Sequence, residues 1–219
     1  MEDENQKPAK KVVNHLQTGG NIILLGAMGS GKTTVGWLLS RLVGFGFVDL
    51  DERIEKQQNK TVNQIFADQG ESKFRHIEKD TLNDLKNIRS HVIAVGGGAV
   101  VDDENWDRLR NLGVTIYLET SPEEIARRLT LDPEQLEIRP LLNELTDEKD
   151  MQLKRKLLAE RMSALIGSRI KRYREADLAL NDAFSTPESS AKSILTMLIE
   201  EKYLDANHDS RHFDKWETL

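Results

Sequence analysis

Short apolar runs alternate along this chain with segments whose apolar residues recur every three or four positions. Asn21–Leu25 (NIILL) is an apolar run that stops at Gly26, as expected of a strand in a parallel sheet. In Lys32–Val43 the residues Val35, Leu38, Leu39 and Leu42 share one helical face. Phe47–Leu50 predicts a second short strand, and Thr61 with Gln64 forms a capping-box pattern that opens a helix through Ile65 and Phe66. A further helix is expected from Glu71 to about Asn87. Val92–Val95 reads as a strand closed by Gly96-Gly97-Gly98, Asp102–Leu112 as a helix, and the alternating Val114–Leu118 as a strand. Ser121-Pro122-Glu123-Glu124 starts another helix, with Ser as cap, Pro in the first turn and Glu three residues after the cap. Leu178–Leu180 is a weak last strand. Thr186-Pro187-Glu188 opens a final amphipathic helix carrying Ile194, Leu195, Leu198 and Ile199.

This alternation predicts an α/β fold in three layers, a parallel sheet of about five strands flanked by helices on both faces. Residues 130–161 break the rhythm: they are highly charged, contain Pro133 and Pro140, and carry no strand pattern. A long insertion in a compact α/β domain predicts a lid, here a helical one. The expected organisation is a polar extension (1–20), one domain (21–203) and a polar tail (204–219). His208 and His212 sit four apart in that tail, but no periodic helix or further ligand supports a metal pair, and a solvated tail is the reading.

Composition narrows the function classes. The 219 residues carry a formal charge of −6, which argues against nucleic acid or an anionic membrane as the main partner. There is no cysteine, which excludes disulfide scaffolds and Cys-based metal or redox sites and fits a reducing compartment. No apolar run approaches a bilayer span, and the acidic start (Glu2, Asp3, Glu4) is unlike a signal or transit peptide. The expectation is a cytoplasmic protein that binds small molecules as a monomer.

The chemistry begins after the first strand. Gly26-Ala27-Met28-Gly29-Ser30-Gly31-Lys32-Thr33 fits G-x-x-x-x-G-K-[ST] between a strand and a helix. Glycines allow a turn tight enough to aim several N–H groups at one anion, and the new helix adds the positive end of its dipole. Gly29, Ser30, Gly31, Lys32, Thr33 and Thr34 are therefore the candidate ATP-binding residues, with Lys32 reaching the β- and γ-phosphates and the Thr33 hydroxyl ligating Mg²⁺. Asp49 and Asp51, at the end of the second strand, would face the same side by period-2 alternation. Such carboxylates have two available jobs, holding the Mg²⁺ shell and orienting or deprotonating an attacking hydroxyl. Asp51 precedes a helix, so capping that helix is the alternative for it.

The phosphate loop, Val48-Asp49-Leu50-Asp51, Phe74-Arg75-His76-Ile77-Glu78, Gly96-Gly97-Gly98-Ala99-Val100 and Arg139-Pro140-Leu141-Leu142 stand in an order that resembles the shikimate kinases, over roughly Asn21 to Ile199. The resemblance implies a P-loop kinase fold and ATP-dependent phosphorylation of the shikimate 3-hydroxyl, in aromatic amino acid biosynthesis. It implies that Asp51 binds and activates that hydroxyl and that Asp49 lies near Mg²⁺. It gives Arg75 and Arg169 the substrate carboxylate, with Glu78 helping to orient the site and Gly96, Gly97 and Gly98 against the ring. Lys32 and the lid arginine Arg139 would act on the transferring phosphate, and Arg128 would pack on adenine. The residue types agree, since a polyhydroxylated monocarboxylate calls for guanidinium forks and carboxylates. Two alternatives stay open: another small-metabolite kinase resembling the gluconate kinases, and a regulatory module that binds ATP without phosphorylating a metabolite.

Overall fold

The computed structural model describes residues 20–132, 142, 149–181 and 186–205. Its strands are β1 (Asn21–Leu25), β2 (Gly46–Asp49), β3 (His91–Ala94), β4 (Gly113–Glu119) and β5 (Leu178–Asn181), all parallel, in the order β2-β3-β1-β4-β5. The described helices are α1 (Lys32–Val43), α2 (Leu50–Gln58), α3 (Val62–Asp84), α4 (Asp103–Leu112), α5 (Pro122–Leu131), α6 (Met151–Gly167), α7 (Ile170–Tyr173) and α8 (Pro187–Glu200).

The unbroken apolar run of β1 is explained by its place at the centre of the sheet. Ile22 and Leu24 pack with Val35 and Leu39 of α1 and Ile194 and Leu198 of α8. Ile23 and Leu25 point to the other face, among Leu50, Ile54, Ile65 and Leu109. Each of these β1 side chains is fully buried, and burial of one such chain contributes about 1.5–3 kcal/mol. By contrast β5 lies at an edge, and its residues alternate between half-buried and exposed, which is why its signal is weak.

Several boundaries differ from the sequence expectation. The second strand ends at Asp49, not Leu50, because the Asp49 side chain accepts from the N–H groups of Asp51 (3.0 Å) and Glu52 (3.3 Å) and starts α2. Asp49 is thus the cap, and Asp51 lies in the first helical turn rather than on a strand. The two helices expected around residue 70 are both present in α3, meeting at the non-helical Gly70 (φ 78°, ψ 169°), and Thr61 with Gln64 closes the expected capping box at the start of the first. The second half of the predicted insertion is the regular helix α6, packed on α5 through Leu158 and Met162 against Ile125 and Leu129. Arg139 lies outside the described residues, as do His208 and His212. At the other end Leu204, assigned to the tail by sequence, is 2% exposed and packs in the α1–α8 core.

Asn21 ties three strand starts together. Its amide donates to Ile88 O (2.9 Å) and Leu112 O (2.9 Å), and its carbonyl accepts from His91 N (3.1 Å). The side chain is fully buried, so an apolar isostere leaves these backbone groups without partners. Asn21→Leu is expected to lower unfolding stability by about 2–4 kcal/mol in urea denaturation. A loss under about 0.5 kcal/mol would mean that water replaces the amide.

Candidate active site

Strand order reverses direction between β1 and β3: the connection from β1 runs to one side of the sheet and that from β3 to the other. Ligands of open α/β sheets bind at such a switch point, beyond the carboxyl ends of the strands. Here those ends carry the β1–α1 loop and Gly96-Gly97-Gly98, and between them lies a cleft of about 740 Å³.

The loop after β1 is built to leave donors free. Gly31, before α1, sits in the left-handed region (φ 94°) and offers no side chain to cap the helix, so the first N–H groups of α1 have no cap. They coincide with the positive end of the helix dipole. Lys32 Nζ folds over the loop, donating to Gly26 O (3.0 Å) and Ala27 O (2.8 Å). Gly29, Thr33 and Thr34 also line the cleft, whereas Ser30 is fully buried beneath it.

Thr33 Oγ1 donates to Asp49 Oδ2 at 2.6 Å. A hydroxyl beside a carboxylate at a phosphate-binding loop suits Mg²⁺, which takes oxygen ligands and keeps several waters. Among the described residues no cluster of three or more His, Asp or Glu side chains offers a protein cage instead. Asp51 faces the same cleft, though it reaches it from α2 and not by strand alternation. Burial, reinforced by the Asp49 charge and opposed by Lys32 and Arg75, pushes its carboxyl up to about 6.

On the acceptor side, Arg75 lies directly over Gly98, where any Cβ would collide with the guanidinium. A side chain there would have to displace the guanidinium from its place in the cleft. Arg75 Nη1 donates to both Glu78 oxygens (3.1 and 3.0 Å), while Nε and Nη2 donate to Glu71 Oε1 (3.3 and 3.0 Å). The helix-surface ion pairs and the cleft position hold together, because positions 71, 75 and 78 share one face of α3. Glu78 is fully buried, and burial lifts its carboxyl to about 7 against the pull of Arg75. Gly96 abuts Asp51 and Glu78, and Gly97 abuts Arg169.

Arg128 reaches the cleft from α5, with Nη1 donating to Ser30 O at 3.2 Å. The structure thus gathers every predicted site residue in or under one cleft except Arg139, which is not described. Two supporting residues have no part in the site as read from sequence, where Glu124 served only to start a helix. Tyr173, fully buried and stacked on Tyr117 (4.9 Å between ring centroids), donates to Gly97 O at 2.8 Å. Glu124 holds Arg128, and its four-residue spacing from that arginine was the available signal.

Comparison with known proteins agrees with this geometry. Residues 28–199 match the family model described as Shikimate kinase. The chain is similar to the shikimate kinase of Nostoc punctiforme, at 40% identity over 187 residues, covering 85% of this chain and 94% of that protein. It is also similar to that of Thermodesulfovibrio yellowstonii, at 39% identity over 175 residues, covering 80% and 92%. Among solved structures it resembles shikimate kinase from Acinetobacter baumannii in complex with shikimate, with a TM-score of 0.74, 31% identity, and coverage of 87% of this chain and 98% of that one. The enzyme from Bacteroides thetaiotaomicron gives a TM-score of 0.69 at 31% identity, covering 82% and 98%.

The buried carboxylate in α2 has a cost for stability that depends on pH. The folded-state value of Asp51, about 6, lies above its ordinary 3.8, so its contribution favours folding fully below 3.8 and is lost as pH rises through 6. Asp51→Asn is therefore expected to melt above the wild type at pH 8, by an amount on the order of 2 kcal/mol, with the advantage gone at pH 4. Melting curves at the two pH values test this, and an equal difference at both would remove the charge from the explanation.

Proposed function

The chain belongs to the shikimate kinase family, and from that membership we infer that it transfers the γ-phosphoryl group of ATP to the 3-hydroxyl of shikimate. The products are 3-phosphoshikimate and ADP, in the pathway to chorismate and the aromatic amino acids. One observation carries the reading: a single cleft holds the phosphate loop at one end and the Arg75–Asp51 pair over the glycine triplet at the other.

The roles follow from chemistry. The amides of the β1–α1 loop and Lys32, released from the loop carbonyls, bind the β- and γ-phosphates. Thr33 and Asp49 would hold Mg²⁺, which when bound neutralises charge on the phosphate oxygens. Arg75 and Arg169 take the carboxylate of the organic acid, and Gly96, Gly97 and Gly98 let its ring approach the backbone. Asp51 orients the 3-hydroxyl and accepts its proton as the new O–P bond forms and the bond to the ADP oxygen breaks. A base near 6 is ionised at neutral pH, which suits the task. Arg128 packs on adenine, and Arg139 is assigned to the transferring phosphate from the family pattern, with the lid excluding water. Both half-sites come from one chain, which supports a monomer, and a chain without cysteine suits the cytoplasm.

Arg75→Ala is expected to raise the KM for shikimate roughly 30- to 800-fold, the equivalent of about 2–4 kcal/mol, while the KM for ATP stays within about threefold. Steady-state kinetics with each substrate varied decide this; equal losses for both would make Arg75 a structural residue. Lys32→Ala should lower kcat by at least about a hundredfold with an unchanged circular dichroism spectrum. Retention of the wild-type rate of ADP release would remove the nucleotide assignment.

A further inference from the structure

Ser121 and Glu124 have the spacing of a capping box, but in the structure only half of it closes. The Ser121 hydroxyl accepts from Glu124 N at 3.2 Å, whereas the Glu124 carboxylate turns away from the helix start. It goes instead to two consecutive arginines. Oε2 accepts from Arg127 Nε at 2.7 Å, and Oε1 accepts from both Arg127 Nη2 and Arg128 Nε at 2.8 Å. The Glu124 side chain is only 7% exposed, Arg127 is 50% exposed, and Arg128 at 25% leans over the phosphate loop to Ser30 O. Ile125 and Leu129 of the same helix pack in one cluster with Ala27 and Met28, so α5 rests on the loop whose amides face the anion.

We propose that Glu124 is a positioning residue for nucleotide binding: it fixes Arg128 above the phosphate loop before the nucleotide arrives. The inference deepens the reading above, since it takes the occupant of the loop to be ATP. An arginine left free loses rotamer freedom when it meets its ligand, and one already held by a buried carboxylate has lost it in the free protein. The acceptor oxygen on Arg128 Nε also fixes the plane of the guanidinium, and so the direction of its remaining donors. Arg127 closes the fork from outside and shields the carboxylate. Its hydrogen bond, with Arg128 beside it, holds the Glu124 carboxyl near 2, so the assembly keeps its charges across the working pH range.

A double-mutant cycle tests the proposal through calorimetric binding of ATP and ADP to the full chain without acceptor. Glu124→Ala and Arg128→Ala are each expected to weaken nucleotide binding roughly tenfold, and the double variant also roughly tenfold rather than a hundredfold. Shikimate affinity should stay within about twofold of wild type, which a general loosening of the fold would not allow. Glu124→Gln keeps an acceptor for Arg128 Nε and should lose only about threefold; it takes the place of Glu124→Ala in the cycle if that variant melts below assay temperature. Wild-type nucleotide affinity in both Glu124 variants, fully multiplicative losses, or an equal loss for shikimate would each overturn the proposal. Turnover of shikimate is measured separately. A chain that shows the non-additive cycle but does not phosphorylate shikimate keeps this inference and loses the assigned reaction.

Discussion

Amide N–H groups at the first turn of α1, left uncapped by Gly31, are the fixed point around which the cleft is arranged. They cannot be moved without moving β1, whose four apolar side chains are fully buried on both faces of the sheet. The other groups are brought to that point by different means. Asp49 is held by the Thr33 hydroxyl, Lys32 by the loop carbonyls, and Arg128 by Glu124 and Ser30. Each contact ties a charged side chain to the loop or to its immediate neighbour, so the charges are held by the protein's own groups.

The acceptor half obeys a different constraint. Asp51 and Glu78 are carboxylates held where water is scarce, and both take protons more readily than carboxylates in solution. Such groups destabilise the fold at neutral pH and persist where their chemistry is needed. Arg75 lessens that cost by spanning the two sides of the cluster. The result is an acceptor pocket that is strained electrostatically, with a glycine lying close under the guanidinium.

What was legible in the sequence was what is local. The β1 run, the phosphate loop and the capping box at Thr61 each depend on residues within a turn or two of one another. The start of α2 was not legible, because a carboxylate at position 49 fits both an alternating strand and a helix cap. Only the bonds from Asp51 N and Glu52 N decide between them. Glu124 misled in a similar way, since the pattern that caps a helix also suits an arginine anchor. Tyr173 was invisible for another reason: its partner Gly97 lies 76 residues away, and no periodicity encodes such a contact. The weak β5 signal reflects an edge position that sequence alone does not assign.

Glu71 stands apart from this machinery. Its side chain is 58% exposed, it does not line the cleft, and it occupies one edge of the Arg75 guanidinium. On the proposed reading its carboxylate and that of the organic acid compete for the same guanidinium. With Arg75 taking the acid's carboxylate as proposed, exchange at that solvent-facing position would alter how firmly the acid is retained, at a distance from the phosphate loop. Saturation and turnover would then be tuned from different places, the first from the outer face of a single helix.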